Sequence, residues 1–259
     1  MQPADLRIVT YNIHKGFSAG NRRFILPKLR DALIEIDADI VMLQEVQGEH
    51  TGLARREPEW PHINHADFLA KDHWPHFAYA KNALYHRGHH GNAILSKHPI
   101  THWKNINVSS FSWASRSLLH GVVTLAHSQP LHIICIHFGL IQKKRTQQIQ
   151  TLCQYIEQCV PQEAPLVIAG DFNDWRLQAE KHFSQHLELK ECHHTLHHHY
   201  AKTFPAWLPL LKMDRMYYRH IQPTRCENSA HQWRQLSDHT PLITDFELLR
   251  YPSSQAVNF

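Results

Sequence analysis

The chain lacks most of the features that would assign it to a class at once. No run of about 18 apolar residues occurs anywhere in it, so a membrane-spanning helix is not expected. Its start, MQPADLRIVTYNIH, has neither the basic region nor the long apolar stretch of a secretory signal. The five cysteines, at 135, 153, 159, 192 and 226, include no C-x-x-C pair, are odd in number and fall partly inside apolar segments. Reduced, packed thiols in a reducing compartment, the cytoplasm, are the expectation. No HExxH and no cysteine cluster points to zinc, and no GxxxxGK[ST] loop points to a nucleoside triphosphate. No repeat and no linker divides the chain, so residues 1–259 read as a single domain, expected as a monomer. Charge of neither sign prevails: 27 Lys and Arg stand against 23 Asp and Glu. That balance permits an anionic partner without demanding one, and no basic tail is present.

What the chain has in excess is histidine, 25 in all. Near its unperturbed pKa histidine adds positive charge as the pH falls through about 6 to 7. The tract HHTLHHHY, residues 193–200, has imidazoles enough for a transition metal. It lacks ligands at fixed spacing beyond Glu191 and Cys192, so a solvated loop is the favoured expectation.

Hydrophobic patterning predicts short β-branched strands at LRIVTYNI, DIVMLQEV, HGNAILSKHPI, LLHGVVTLAH, PLHIICIHF, APLVIAGDF, DRMYYRHI and HTPLITDFEL. Apolar residues at 25, 26, 29, 32, 33 and 36 predict a helix over 25–36, with Pro27 near its start. A second helix is predicted from Lys143 to Val160, with Ile149, Leu152, Cys153, Ile156 and Val160 on one face. The segment HSQP reads as the joint of a hairpin. Strands and helices mix without strict βαβ repeats, which argues for mixed sheets with helices packed outside.

Several of these apolar strands run into polar residues. LVIAGDFNDWR ends a core strand in Gly170, Asp171, Asn173 and Asp174. Asn12 and His14 follow strand one, Glu45 ends strand two, and His137 follows IICI. Asp214 precedes one late strand, and Asp238 and His239 precede another. Such groups are costly to bury unpaired. A single strand-end acid is ordinarily a cap or turn former. Six strands behaving alike point to one cleft at a sheet edge that gathers hard oxygen ligands and imidazoles. Glu45 with Asn12 suits Mg2+, whose shell would be completed by water and a phosphate oxygen. Arg116 and Asn92 open further core strands. The guanidinium of Arg116 suits a phosphate oxygen, though a surface ion pair is an equal alternative. Asn92 is a substrate contact or a turn residue, and His14 faces the cleft or fills a structural slot. Asp214 has an alternative in a surface pair with Arg215. Lys15, Arg22 and Arg23 either rim the cleft or sit in a solvated loop, with the loop slightly favoured. Trp207 faces substrate or, more commonly for a proline-flanked tryptophan, anchors its loop.

The ordered set TYNIH, LQEV, GNAILSKHPI, IHFGL, GDFND, MDRMY and LSDHTPL resembles the endonuclease/exonuclease/phosphatase superfamily over about residues 6–248. NIHKGFSAGNRRFILPKLRDAL, YHRGHHGNAILS and KTFPAWLPLLKMDRMY are similar to an uncharacterised bacterial subgroup of it. The resemblance implies an α/β, DNase I-like fold: a four-layer sandwich of two mixed β-sheets flanked by helices, with the site at one edge. It implies a Mg2+-dependent phosphoesterase, with Mn2+ as a substitute, most simply a phosphodiesterase. The substrate would be anionic and phosphate-containing, either nucleic acid or a phospholipid or other small phosphate ester. Glu45 and Asn12 would hold the metal, and Asp238 would be a second-metal or supporting carboxylate. Asp171 would deprotonate the attacking water and Asn173 would assist it or hold a phosphate oxygen. His137 would donate to the phosphate or the leaving oxygen. His239, its ring held by Asp214, would contact the scissile phosphate. Arg116, Asn92 and His14 would bind substrate. Abasic-site endonucleases of the superfamily carry an acid where His14 stands and YxPN where IHFGL stands, which argues against abasic-site repair. GDFNDWR and MDRMY match the GDLNYR and CDR signatures of the inositol-polyphosphate phosphatases only in part. The alternative to an enzyme is a binding module with a dead site on the same fold.

Overall fold

The chain folds as two stacked six-stranded sheets with helices on both outer faces. The structure, a computed structural model, describes residues 6–109, 116–125, 130–228 and 230–248. In chain order these contain β1 (Leu6–Asn12), α1 (Leu26–Ile36), β2 (Ile40–His50), α2 (His65–Ala70), β3 (His76–Tyr85), β4 (Gly88–Ser96), β5 (Ile100–Asn107), β6 (Ser117–Val123) and β7 (Leu131–His137). They continue with α3 (Gln142–Cys159), β8 (Leu166–Asp171), α4 (Gln178–His186), β9 (Lys190–Glu191), α5 (Cys192–His197), β10 (Asp214–Arg219), β11 (Gln222–Glu227), α6 (Ala230–Trp233) and β12 (Leu242–Glu247). No helix among the described residues is long and apolar enough to cross a membrane.

The first sheet has the order β11-β12-β1-β2-β4-β3 and the second β5-β6-β7-β8-β10-β9. Each is mixed. A parallel pair, β1 with β2 or β7 with β8, lies at its centre, and the other neighbours are antiparallel. The inner faces meet in one cluster, with Ile8, Ile40, Met42 and Ile94 from the first sheet against Leu119, Ile133, Val167 and Met216 from the second. The outer face of the first sheet packs on Leu29 and Leu33 of α1 and Leu69 of α2. That of the second packs on Ile149, Leu152 and Ile156 of α3 and Phe183 of α4. Both faces of the central strands are therefore dry. This is why they read as continuous apolar runs instead of alternating ones.

α1 begins where predicted, with Pro27 in its first turn, and ends at Asp37 in the left-handed conformation. α3 runs one residue ahead of its predicted span and stops before Pro161, which cannot continue it. The predicted HSQP joint includes residues 127–129, outside the described residues. Four strands were not anticipated: β3, β5, β11 and the two-residue β9, all at sheet edges. The side chains of β5 are largely in water, so no buried apolar run marks it. β11 also contains Pro223, tolerated in an edge strand beside the irregularity between Pro223 and Arg225. The histidine tract is not a loop as expected. Residues 192–197 form α5, with Glu191 accepting from the His194 N–H as N-cap and His193 buried.

Candidate active site

The two parallel pairs end at the same edge of the sandwich. In the first sheet Asn12 lies opposite Gln44, and in the second His137 lies opposite Asp171. A hydrogen bond from Asn12 Nδ2 to Asp171 Oδ2, 3.1 Å, joins the two ends across the core. Gly170 makes the turn into Asp171 possible. Its φ is +145°, and a Cβ there would stand 2.0 Å from the Ile136 carbonyl oxygen. Asn173 follows in the left-handed region, which asparagine tolerates.

Asp171 Oδ2 is where the site converges. It accepts from Asn12 Nδ2 at 3.1 Å and from Asn173 Nδ2 at 3.3 Å, while His137 Nε2 stands at 3.5 Å and His239 Nε2 at 3.8 Å. Its other oxygen accepts from the Asn173 backbone N–H. Asp171 is only 2% exposed, and burial raises its pKa to about 7 against the opposing pull of His239.

His239 comes from the turn before β12. Its Nδ1 lies 2.7 Å from Asp214 Oδ2, and the same oxygen accepts from Thr203 Oγ1 at 2.5 Å. Burial alone would lower the imidazole's pKa, but the Asp214 and Asp171 carboxylates overcome it and hold it near 10. The ring is therefore a fixed cation, further pinned by Phe204, whose ring centre is 4.9 Å away. Asp214 is fully buried and does not pair with Arg215, the surface alternative. Strand alternation sends Arg215 to the opposite face, where it meets Asp174 at 3.3 Å and Tyr217 Oη at 3.0 Å.

His137 has the opposite character. Burial, and then the neighbouring Arg116, drive its pKa well below the usual imidazole range. Arg116 Nη1 donates toward His137 Nδ1 at 3.1 Å. Arg116 Nη1 is also 3.4 Å from Nε2, but the shorter contact to Nδ1 and the Asp171 carboxylate beside Nε2 favour the tautomer with its proton on Nε2. Arg116 is accordingly part of the site wall and not the surface ion pair that was its alternative.

Glu45 occupies a break in the β2–β4 ladder between Leu43 and Val46, with φ +55°. Such bulges re-aim a side chain at a strand end. Its Oε2 is buried and accepts no hydrogen bond, though Lys15 Nζ stands 3.4 Å away. Lys15 thus faces the site, contrary to the solvated loop favoured for it. An anionic oxygen left without a donor in a buried position is what a hard cation would satisfy. His14 pairs with Asp238, Nδ1 to Oδ2 at 3.2 Å. That hydrogen bond outweighs burial and raises the His14 pKa. Asp238's own is lowered, because His14 and His239 outweigh its burial. Asn12 Oδ1 accepts from the His14 N–H, which ties this pair to Asp171. Asn92 is fully buried and braces the sheets, its Nδ2 donating to the Ser117 carbonyl at 3.1 Å, while its Oδ1 is unpartnered.

Sequence reasoning missed Thr203, Phe204 and His90. The first two lie in the TFPAWLPLL stretch and touch the Asp214–His239 pair. His90, brought down to about 4 chiefly by burial, sits within electrostatic reach of Glu45 and Arg116. Its position in GHHGN was the available signal. Trp207, expected to anchor its loop, is 64% exposed instead.

A sequence model of the Endonuclease/Exonuclease/phosphatase family matches residues 9–239. YbhP, an uncharacterized protein of Escherichia coli strain K12, is 41% identical over 251 residues, covering 95% of this chain and 98% of YbhP. Among solved structures, an endonuclease/exonuclease/phosphatase from Beutenbergia cavernae superposes with a TM-score of 0.77 at 18% identity, covering 97% of this chain and 74% of that one. The human Nocturnin catalytic domain, solved with a bound sulfate anion, superposes with a TM-score of 0.69 at 18% identity, over 94% of this chain and 93% of that one.

Proposed function

Since the chain belongs to the endonuclease/exonuclease/phosphatase family, whose members are typically hydrolytic phosphoesterases, we propose that it is a metal-dependent phosphodiester hydrolase. The observation that carries this reading is the convergence of four side-chain nitrogens on one carboxylate oxygen, Asp171 Oδ2. Two of the four, on His137 and His239, stand at 3.5 and 3.8 Å, beyond hydrogen-bonding length, which leaves their N–H groups available to a reacting oxygen lying beside the carboxylate.

In this reading Asp171 takes the proton of a water as the water's oxygen bonds to phosphorus, and Asn12 and Asn173 hold the carboxylate in line. Its raised pKa places it near the operating range of a general base. The His239 cation donates to a phosphoryl oxygen as charge builds there, and Asp214 fixes the ring. His137 donates from Nε2, and Arg116 behind it, only partly exposed, adds positive charge. Glu45, with Asn12 and Asp238 as the expected further ligands, would hold Mg2+ or Mn2+, which would supply charge neutralisation at the phosphoryl and leaving oxygens. Phosphoryl transfer asks little else of a protein than such positioning and charge.

The test is hydrolysis of bis(p-nitrophenyl) phosphate with Mg2+ or Mn2+, alongside thermal unfolding. Turnover should appear with metal and vanish in EDTA. Mg2+ should raise the Tm of the native protein, because a ligand that binds only the folded state stabilises it, and should do so much less in Glu45→Gln. Full turnover in EDTA, or an equal Mg2+ shift in both proteins, would remove Glu45 and the metal from the reading.

A further inference from the structure

Large apolar side chains left in water are not scattered over this molecule. Three loops around the candidate site carry most of those found among the described residues. Leu140 and Ile141, just after β7, are 64% and 57% exposed. Trp175, just after β8, is 41% exposed. Between α5 and β10, Trp207, Leu208, Leu210 and Leu211 are all exposed. Patches of this kind, rimmed by polar groups, mark a surface that something covers.

The three loops form one structure with the site. Arg145 Nη1 donates to the Leu140 carbonyl at 2.9 Å while its guanidinium lies 5.6 Å over the Trp175 ring. The Phe172 N–H donates to the Met213 carbonyl at 2.9 Å, which ties the second loop to the third. The third packs on the site itself: the Ala206 N–H donates to the Asp238 carbonyl at 2.7 Å, and Phe204 lies against His239. Backbone bonds from Thr203 to Leu211 and from Leu211 to Phe204 close this loop on itself. Its leucines are therefore held outward by a fixed scaffold.

The charge around this apolar rim has one sign. Segments 139–146, 175–178 and 202–213 contain Lys143, Lys144, Arg176, Lys202 and Lys212 and no acidic residue. Apolar side chains ringed by cations match the interface of an anionic bilayer, where acyl chains take the first and headgroups the second. A single-stranded nucleic acid would also meet the cations, but it wants aromatic platforms for its bases. This rim offers two indoles and five aliphatic side chains.

We propose that this face docks on an anionic phospholipid surface and that the site draws its substrate, a lipid phosphodiester, from that surface. The inference rests on the hydrolase reading above for its chemistry, but the docking stands on the rim alone. Water adds across one P–O bond of the headgroup: its oxygen bonds to phosphorus, and its proton ends on the alkoxide that leaves.

Three measurements test it on the intact protein. One is co-sedimentation with phosphatidylglycerol/phosphatidylethanolamine vesicles and with pure phosphatidylcholine vesicles, in EDTA. The others are Mg2+-dependent hydrolysis of the vesicle lipid and of soluble bis(p-nitrophenyl) phosphate. Each is run on the native protein and on two double variants, Leu140→Ser with Ile141→Ser and Leu208→Ser with Leu210→Ser. The native protein should sediment with the anionic vesicles and much less with the zwitterionic ones. Each double variant should lower that partition by about tenfold or more, the loss expected for withdrawing two aliphatic side chains from a bilayer. Lipid hydrolysis should fall with it, while turnover of the soluble ester stays within about twofold, because neither pair touches the reacting groups. Absence of anionic-vesicle binding, or binding that both variants retain, overturns the docking. Capture of a single-stranded oligonucleotide that the variants lose, without vesicle binding, overturns it in favour of nucleic acid. Vesicle binding with the soluble ester cleaved but the lipid intact overturns the substrate assignment. Vesicle binding with no ester cleaved at all overturns the hydrolase reading and leaves the docking.

Discussion

The pKa values of Asp171 and His239 are both raised, but by different causes: burial raises that of Asp171, whereas neighbouring carboxylates raise that of His239 against burial. Both are buried, but only His239 gains more from its neighbours' charges than burial removes, as its value near 10 records. Asp171→Asn keeps an acceptor for the Asn173 N–H and removes a carboxylate that burial disfavours, which offsets the cost of turning an amide nitrogen toward the Asn12 and Asn173 side-chain donors. Turnover should fall about 10²–10⁴-fold for loss of a general base. Stability by urea unfolding should change by no more than about 1 kcal/mol, as for a site group the fold tolerates and does not require. Near-normal turnover would reduce Asp171 to a turn residue. Asp214→Asn weakens the support behind the His239 ring and lowers its pKa. The alkaline limb of the pH–rate profile should then move to lower pH, and the rate should drop. Because the two act as a unit, Asp214→Asn added to His239→Ala should cost scarcely more than His239→Ala alone. Fully additive losses would separate them. At this scale the sequence was most legible where a polar residue interrupts an apolar run, as at Asp171, Glu45 and His239. Thr203 and Phe204 interrupt nothing, and only the folded loop brings them to Asp214 and His239.

The turn from β8 into the site depends on the backbone as much as on side chains. Gly170 lies beside the Ile136 carbonyl at φ +145°, so Gly170→Ala must push β7 and β8 apart or change the path of the chain. Strain of this kind costs about 1–3 kcal/mol, and the clash adds to it. A loss of about 2 kcal/mol or more is expected by urea unfolding, together with a fall in turnover, because Asp171 is the next residue. Gly121→Ala is the comparison. It lies on β6, where a Cβ would meet only side chains at 3.4 Å, so a change of less than about 1 kcal/mol is expected. Equal effects at the two positions would show that the close approach at Gly170 does not matter. The same contrast explains which elements could be read beforehand. Central strands carry apolar residues on both faces and stand out. Edge strands such as β3 and β5 carry polar residues like those of loops, and what makes them strands is the partner they lie beside. The pairs β1 with β2 and β7 with β8 each join consecutive strands across a helix, but the contact between the two pairs, Asn12 to Asp171, joins residues far apart in sequence. No local pattern sets it, and the whole site depends on it.

Over the whole molecule, the histidines that the fold keeps neutral set the dependence of stability on pH. Burial lowers His65 to about 3 and His120 to about 4, and holds His137 well below the usual imidazole range, so the folded protein leaves them unprotonated where the unfolded chain protonates them at about 6.5. His65 has no hydrogen-bond partner for either ring nitrogen and packs against Trp60, whose ring centre lies 4.5 Å away. His120 lies between Tyr155 Oη at 2.8 Å and His132 Nδ1 at 3.0 Å. Their stabilisation is present above about 6.5 and is lost as the pH falls toward their folded values. By pH 4.5, His65 and His120 alone would remove on the order of 5 kcal/mol, comparable with the total stability of many domains. His239 acts in the other direction. Its folded pKa is raised to about 10, so its contribution is complete below about 6.5 and is lost as the pH rises through 10. Urea unfolding of the metal-free protein in EDTA, from pH 4.5 to 9, should therefore give a maximum near neutrality. The acid side should still be the steeper, because His65, His90, His120 and His137 act together on it while the buried carboxyls of Asp171 and Glu191, both raised to about 7, oppose them there, and His239 acts on the alkaline side. His65→Leu removes one proton-binding site from the unfolded chain without removing a hydrogen bond from the folded one. The acid limb should become shallower by about 1.4 kcal/mol per pH unit between roughly pH 4 and 6. An unchanged acid slope in His65→Leu would mean that this ring takes up a proton in the folded state after all.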